Sequence, residues 1–237
     1  MADRFYCPDP AIDGQIALGG DEARHLATVL RAGPGRVVEV FDGRGTAHRA
    51  VVVAIDKRRI ILRIEHPLPR RELPCRLTLG VAPPKGDRLD WLVEKATELG
   101  VSTLVPLRTA RAVVDPRASK LDRLRRAVVE ASKQSRRDTL MVIAEPTGWD
   151  EWLASVEAPG LVAHPGGPPP ADWPDRSADG GIALAIGPEG GFTEDEVDRA
   201  RGLGWTAVGL GSTTLRVETA ALAGASLLMG LATKQQH

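Results

Sequence analysis

The sequence has little of what secreted and membrane proteins require. Its 237 residues include two cysteines, Cys7 and Cys75, which lie far apart with no histidine at metal-ligand spacing. This scarcity gives no sign of a disulfide scaffold or a metal site, and predicts packing roles in a reducing, cytoplasmic setting. No apolar run approaches the roughly 18 residues of a membrane span, and the first residues lack a signal-peptide core. A cytoplasmic globular protein without membrane or metal partners is expected.

The formal net charge of the chain is zero, but basic and acidic residues are distributed unevenly along it. Residues 1–76 carry 13 basic and 10 acidic side chains, residues 77–140 carry 13 and 8, and residues 141–237 carry 5 and 13. A polyanionic partner would therefore meet the first two-thirds of the chain. The totals alone favour the simpler interpretation, that these charges form an ordinary solvated surface.

The pattern of apolar residues predicts two domains, at residues 1–72 and 73–237. The first reads as a small β-rich barrel or sandwich. Its predicted elements are a helix over Asp21–Arg31 and strands over Gly35–Phe41, Ala47–Ile55 and Arg59–Ile64. His66–Pro74 holds three prolines and is the predicted linker.

From Arg76 onward, strands alternate with helices, which is typical of an α/β fold with a parallel sheet. The predicted strands are Leu77–Ala82, Val101–Leu107, Leu140–Ala144, Leu161–Ala163, Ile182–Ile186 and Ala207–Leu210. The predicted helices are Asp87–Leu99, Ser119–Arg137, Asp150–Val156, Glu194–Leu203 and one from about Val217. Residues 164–181 are rich in glycine and proline and predict a surface loop. Ligands of open parallel sheets bind beyond the carboxyl ends of strands, here after Ala163, Ile186 and Leu210.

The segment Ile186–Glu196 reads IGPEGGFTEDE. A buried strand ends in a turn whose three glycines let the backbone approach a ligand, and Thr193 with Glu196 forms a capping box. The acidic first helical turn would repel a phosphate, so a phosphate-free or cationic ligand fits better. A purely structural strand-to-helix turn fits the local pattern equally well.

A second strand end reads LGSTTLRVETA over Leu210–Ala220. Arg216 opposes the helix dipole there unless it meets an anion, which indicates function, whereas Glu218 complements the dipole. The apolar helix that follows must be buried, either in its own core or at a subunit interface.

The stretch Arg117–Arg137 holds eight basic and two acidic residues on an amphipathic pattern. Such clustering favours phosphate contacts over a merely solvated helix face.

These segments together resemble the bacterial 16S ribosomal RNA uracil-N3 methyltransferases, a branch of the SPOUT superfamily. The two family hallmarks resemble IGPEGGFTEDE and LGSTTLRVETA. The stretch KGDRLDWLVEKATELGV resembles the segment that opens the family's catalytic domain. The stretch HLATVLRAGPGRVVEVFDGRG resembles the segment that in the family forms the N-terminal PUA-like domain. The chain departs from the pattern at Thr213, where the family has arginine, and at Val217, where it has threonine. Lys133–Arg137 matches the family's E-Q-[CS]-x-R only loosely.

The resemblance implies a PUA-like RNA-binding domain followed by a SPOUT domain with a C-terminal trefoil knot, an exception to the near-absence of knots. It also implies a homodimer, with S-adenosyl-L-methionine (SAM) as cofactor and 16S ribosomal RNA or the small ribosomal subunit as substrate. The expected cofactor-binding residues are His164, Ile186, Gly187, Pro188, Glu189, Gly190, Gly191, Leu210, Gly211, Leu215, Thr219 and Ala220.

The implied chemistry is removal of the uracil N3 proton and stabilisation of the resulting negative charge. Arg216 is the candidate for the second task. Glu218 is expected to orient Arg216, to orient the base or to accept the proton, and the sequence does not choose among these roles. The expected RNA-binding residues are Arg4, Arg31, Lys85, Arg123, Arg126 and Arg136. Two alternatives stay open: a methyltransferase of the same fold acting on another RNA, and a non-catalytic RNA-binding protein.

Overall fold

The computed structural model describes residues 2–9, 11–56, 59–158, 160–173 and 181–234. Internal contacts divide the chain into two compact units. The first comprises Met1–Glu72 and Ser132–Leu140, and the second comprises Leu73–Ala131 and Met141–His237. Part of the predicted loop at residues 164–181 lies outside the described residues. Its described part contains a short 3-10 turn at Pro170–Asp172.

A five-stranded sheet forms the body of the first unit, as far as its residues are described. Its strands are β1 (Arg4–Tyr6), β2 (Gln15–Gly19), β3 (Val37–Phe41), β4 (Ala47–Ile55) and β5 (Arg59–Pro67). Their order is β1-β3-β4-β5-β2, with β1 parallel to β3 and the other pairs antiparallel. The core lies on one face because alternate residues point inward, such as Ile16 and Leu18 of β2.

The helix predicted over Asp21–Arg31 is shorter than expected. Helix α1 spans Gly20–Arg24, and a π-helical turn follows at His25–Val29. Ala23 and Leu26 are buried as the spacing predicts. The regular helix ends early because the chain widens into i→i+5 bonds, such as Leu30 N to His25 O at 3.1 Å.

The predicted linker also begins later than expected. β5 continues through His66 to Pro67, which pairs with His48 of β4. A proline at the last position of a strand removes no donor from the ladder interior, so the strand tolerates it there.

Buried charge connects β1 to the second piece of the first unit. Arg4 is 7% exposed and donates to the carbonyl oxygens of Arg136 and Arg137, both at 3.1 Å. It also pairs closely with the buried carboxylate of Asp138. Charge-assisted hydrogen bonds of this kind offset the desolvation of both groups.

A parallel sheet forms the second unit, which confirms the predicted α/β class. The described strands are β6 (Leu77–Val81), β7 (Thr103–Arg108), β8 (Val142–Ile143), β9 (Thr147–Gly148), β10 (Gly160–Ala163), β11 (Ile182–Ile186) and β12 (Thr206–Val208). They follow the order β12-β10-β11-β6-β7-β8, and β9 pairs separately with β7. Every one of these pairs is parallel.

Helices connect and cover this sheet. They are α2 (Arg88–Glu98), α3 (Ala118–Ser135, whose last four residues belong to the first unit), α4 (Trp149–Ser155), α5 (Glu194–Gly202) and α6 (Val217–Lys234). Asp87 stands at the start of α2 but makes no side-chain capping bond, while Thr193 and Glu196 form the predicted capping box of α5. The apolar α6 packs against α2, β6 and β11, and its buried face includes Ala221, Ala225 and Leu228.

Two glycines let separated stretches of backbone touch near β12. A β-carbon at Gly167 would lie 2.5 Å from the carbonyl carbon of Val208. Gly209 N donates to Pro168 O at 2.8 Å. The segment after β10 is therefore packed directly on the chain that leaves β12. The trefoil knot itself stays a prediction.

Candidate functional site

The carboxyl ends of β10, β11 and β12 lie side by side in the second unit. Val162 of β10 pairs with Ala185 of β11, and Ala163 of β10 pairs with Val208 of β12. The three segments singled out from the sequence therefore leave the sheet at one edge, where open parallel sheets bind ligands.

The turn after β11 is built from backbone. All five residues of β11 are buried, and Gly191 N closes the turn onto Pro188 O at 2.8 Å. Gly191 has φ +69°, which a residue with a side chain adopts only with strain. A β-carbon at Gly187 would lie 3.0 Å from Phe192 N, so a side chain there would crowd the turn and its neighbours would have to shift. The side chains of Ile186 and Pro188 are buried, while Glu189 and Gly190 are exposed.

Two residues outside the turn hold it in place. Glu196 is 2% exposed, and one of its oxygens accepts from Thr193 N at 2.8 Å. Its other oxygen accepts from Ala110 N at 2.8 Å, in the loop after β7. Arg111 of that loop donates to Gly190 O at 2.6 Å. The loop after β7 therefore braces the glycine turn. The sequence reasoning missed Arg111, although its place just beyond a strand end was a usable signal.

His164 follows β10 directly and lies beside a cavity of about 490 Å³. Its backbone N donates to Val208 O at 2.9 Å, and its Nε2 lies 3.8 Å from the carboxylate of Glu194. The other lining residues are Pro165, Gly166, Gly167, Pro168, Arg201, Trp205, Thr206 and Ala207.

The chain after β12 runs through an open turn into α6. Gly211 has φ +148°, and a β-carbon at this position would meet no atom within 4 Å. Leu215 is half-buried, and Leu210 lies against Gly224 of α6. Ala220 N donates to Arg216 O at 2.8 Å, which closes the first helical turn. Of the two departures from the family pattern, Thr213 is exposed to solvent and Val217 is buried, so Val217 serves packing.

A cavity of about 420 Å³ lies at the start of α6. Its lining combines both candidate catalytic residues with the N-terminal part of α2: Asp87, Arg88, Trp91, Arg216, Glu218 and Thr219. Arg216 is exposed, whereas the Glu218 side chain is only 8% exposed. Glu218 Oε2 accepts no hydrogen bond from the described residues. Arg216 and Glu218 therefore line one cavity, and their catalytic roles stay a prediction.

Arg88 connects the two motif segments. Its Nη1 lies 3.8 Å from Glu218 Oε2, and its Nη2 lies 3.6 Å from Glu189 Oε1 of the glycine turn. Neither Arg88 nor its cavity neighbour Trp91 was predicted as a site residue. The sequence signal for Arg88 lay in the KGDR stretch, but its closeness to α6 depends on helix packing.

The comparisons with known proteins agree with this architecture. A model described as an RNA methyltransferase domain matches residues 71–229, and one described as an RNA methyltransferase PUA domain matches residues 18–65. The chain belongs to the RNA methyltransferase family. The family resemblance drawn from the motifs is thereby confirmed.

Named relatives of this RNA methyltransferase match along nearly its whole length. Ribosomal RNA small subunit methyltransferase E of Synechocystis is 32% identical, covering 90% of this chain and 72% of the relative. The protein of the same name from Bacillus subtilis is 29% identical, covering 87% and 86%. The crystal structure of ribosomal RNA small subunit methyltransferase E from Neisseria gonorrhoeae, bound to S-adenosyl methionine, superposes with a TM-score of 0.89 at 33% identity, covering 98% of both chains.

The basic residues expected to hold RNA differ in whether their side chains are free to contact a phosphate. Arg31, Lys85 and Arg126 are exposed. Arg4 is buried with its guanidinium committed to Asp138 and two carbonyls, which argues against the RNA contact expected for it. Arg136 lies partly buried in close contact with Glu39.

Arg123 belongs to an ion-pair network rather than to a free basic surface. It donates from Nε to Asp90 at 3.0 Å, and Lys120 pairs with the same carboxylate. Partial burial opposes ionisation of Asp90, but the hydrogen bonds from Lys120 and Arg123 outweigh it and lower the pKa of that carboxyl. Burial also lowers the pKa of Arg137 to about 10, so this side chain stays charged at neutral pH.

Within the described residues, His, Cys, Asp and Glu side chains form no group of three that could hold a metal ion. No helix among those residues combines the length and apolar character needed to cross a membrane.

Proposed function

We propose that this chain methylates N3 of a uridine in 16S ribosomal RNA, with SAM as the methyl donor. One observation of the site carries the proposal. A buried carboxylate with an unpartnered oxygen, Glu218, lines the same cavity as the exposed Arg216. Transfer to N3 requires loss of a proton and stabilisation of the charge that remains, and these two groups are suited to those tasks.

The three neighbouring strand ends fit SAM by their chemistry. SAM has no phosphate and carries a positive sulfonium, so a glycine-rich backbone turn with carboxylates nearby suits it better than a basic phosphate loop. His164, the turn at residues 186–191, Leu210, Gly211, Leu215, Thr219 and Ala220 would hold it. When bound, SAM supplies an electrophilic methyl group.

The protein's own task is to present the base and manage its proton. Glu218 either accepts the N3 proton or orients the base while solvent accepts it. Arg216 faces the negative charge that spreads over the uracil carbonyl oxygens once the proton has left. The Glu218 side chain is buried, so its interactions with the base are stronger than they would be in bulk solvent.

The substrate contacts follow from exposed basic residues. Arg31, Lys85 and Arg126 are proposed to hold RNA phosphates, which makes binding weaken steeply with salt. Arg123 and Arg136 would join them only by exchanging their present carboxylate partners for phosphate. We also propose a cytoplasmic homodimer, consistent with Leu227 and Leu231, which α6 leaves 36% and 43% exposed.

The decisive experiment measures methyl transfer from labelled SAM to small ribosomal subunits that lack the modification, followed by nucleoside analysis. N3-methyluridine is the expected product. A different methylated nucleoside would replace the proposed substrate with another RNA. Failure to bind SAM in calorimetry would favour a non-catalytic RNA-binding protein.

Arg216→Ala tests the assignment of roles. Cofactor binding and methyl transfer are measured separately, and we expect SAM affinity close to that of the unmodified protein with methyl transfer reduced at least a hundredfold, roughly the effect of removing one charge-stabilising donor. Normal methylation by this variant would refute the role of Arg216.

A further inference from the structure

Helix α2 contributes an aromatic side chain, Trp91, to the cavity at the start of α6, and the proposed methyl transfer gives it no role. Trp91 is 47% exposed, whereas the other four tryptophans are buried. It shares the cavity lining with Arg88, Arg216 and Glu218. A flat indole left in water beside a buried carboxylate suits a planar ligand with a polar edge, because unstacked bases bind by stacking on such side chains.

Glu218 indicates which polar group the edge of a planar ligand must carry. Its Oε2 is buried and accepts no hydrogen bond from the described residues, and Arg88 Nη1 stands 3.8 Å away, too far to donate one. Leaving a buried charged acceptor without a donor is costly. A ligand N–H pointed at this oxygen would remove that cost.

The two arginines add donors beside this acceptor. Arg88 and Arg216 both line the cavity, and an ionised guanidinium donates but never accepts. The cavity therefore offers one acceptor accompanied by two donor groups. The Watson–Crick edge of uracil is the complement, with the N3–H donor between two carbonyl acceptors. Cytosine instead presents an unprotonated N3 to the carboxylate and an amino group to a guanidinium.

We propose that this cavity recognises the Watson–Crick edge of an unstacked uracil, with Trp91 as its stacking surface and Arg88 as the residue that positions Glu218 and disfavours cytosine. The inference rests on the proposed function and deepens it. It describes the complex that precedes methyl transfer, in which N3 still carries its proton.

The stacking role is tested with Trp91→Ala and Trp91→Phe. For Trp91→Ala we expect kcat/KM for unmethylated small subunits to fall about tenfold or more, chiefly through KM, because stacking is lost. Trp91→Phe should restore most of it, and SAM affinity by calorimetry should stay unchanged in both variants. Leu203→Ala, which truncates an exposed apolar side chain at the end of α5, is the matched control and should behave as the unmodified protein.

Three results would overturn the stacking role. They are unchanged kcat/KM in Trp91→Ala, an equal loss of SAM affinity, and conversion of a dimer to a monomer in sedimentation. The last would make Trp91 a subunit contact instead.

The discrimination role is tested with Arg88→Ala and Arg88→Lys on subunits that carry uridine or cytidine at the modified position. We expect Arg88→Ala to lose about tenfold in kcat on uridine and to narrow the uridine-to-cytidine ratio, with partial recovery in Arg88→Lys. Arg199→Ala, which removes an exposed ion pair with Asp150, serves as the control.

An unchanged ratio in Arg88→Ala overturns the discrimination role and leaves the proposed function intact. If the unmodified protein methylates neither substrate, the proposed function fails and this inference fails with it. The two failures are therefore distinguishable.

Discussion

The carboxylate of Glu196 accepts a hydrogen bond from the backbone nitrogen of Ala110 at 2.8 Å. The same carboxylate accepts from Thr193 N with its other oxygen, so a single buried side chain joins the loop after β7 to the turn after β11. A capping residue that is visible in the sequence thus has a second, long-range task. That task makes the geometry of the glycine turn depend on a loop about 80 residues earlier.

Glu196→Gln should loosen this connection. An amide NH2 would face a backbone N–H in place of an acceptor oxygen, so we expect the free energy of unfolding to fall by about 2 kcal/mol. Urea denaturation measures this, and calorimetry should show weaker SAM binding. Asp195→Asn, on the exposed side of the same helical turn, should change stability by only a few tenths of a kcal/mol. Equal effects of the two variants would contradict the bracing role.

Gly191→Ala and Gly202→Ala form a matched pair, because an added β-carbon meets no atom within 4 Å at either position. Gly191 has φ +69°, whereas Gly202 lies in α5 outside the left-handed region. Alanine at 191 should cost about 1–2 kcal/mol and weaken SAM binding. Alanine at 202 should be neutral or stabilise by about 0.5 kcal/mol. Thermal unfolding and calorimetry would show the difference, and similar stabilities would contradict the strain argument.

The Asp90 network should produce a pH-dependent contribution to stability. Because its pKa is lowered below the ordinary 3.8, Asp90 stabilises the folded state fully above that value, and the contribution is lost as pH falls through the folded-state pKa. Asp90→Asn should therefore cost about 1 kcal/mol at pH 7 and progressively less below pH 4. Urea denaturation across pH measures this. Asp122→Asn, the control, removes a more exposed carboxylate and should change the free energy of unfolding less between pH 7 and pH 4. If Asp90→Asn lowered the free energy of unfolding equally at every pH, Asp90 would not be the source of the pH dependence.

Asp138→Ala should severely destabilise the first unit. It removes the hydrogen-bonded carboxylate partner of buried Arg4 and leaves only Glu39, 3.8 Å from Arg4 Nη1, as a counter-ion, at a cost of about 3 kcal/mol. Asp3→Ala is the control, because it breaks only the exposed pair with Arg36 and should cost less than about 1 kcal/mol. Equal unfolding free energies for the two variants would show that the Arg4 pair is not structural.

Elements with strong local patterns could be predicted from the sequence to the residue. Strand β4 spans Ala47–Ile55 and β11 spans Ile182–Ile186, both as expected. Helix α6 starts at Val217, which agrees with a start predicted only approximately. Strands β1 and β2 were missed. β1 has three residues and exists because it pairs in parallel with β3, a tertiary contact that leaves no periodicity to detect. β2 does alternate, but Gln15–Gly19 offers only two inward residues.

The residues of the candidate site also divide into those with a local signal in the sequence and those brought together by tertiary packing. Arg216 stood out because an arginine at a helix start is locally unfavourable, whereas the role expected of Glu218 followed from the family resemblance. Trp91 and Arg88 sit on an amphipathic helix whose pattern shows which face is buried but not which helix it meets. Their place beside Glu218 follows from the packing of α2 on α6, which the sequence alone does not specify.

Arg4 and Asp138 stand 134 residues apart, and this separation has a consequence during synthesis. When residues 1–72 have left the ribosome, Arg4 has the Glu39 carboxylate 3.8 Å from its Nη1. It still lacks Asp138 and the two carbonyl oxygens that accept its hydrogen bonds in the finished protein. The sheet can assemble early, but a buried guanidinium without its partner is unfavourable. Translation must therefore pass residue 138 before the first unit becomes fully stable, so a nascent chain stalled earlier would be an open target for proteases. An expression fragment that ends at Glu72 would have the same weakness permanently.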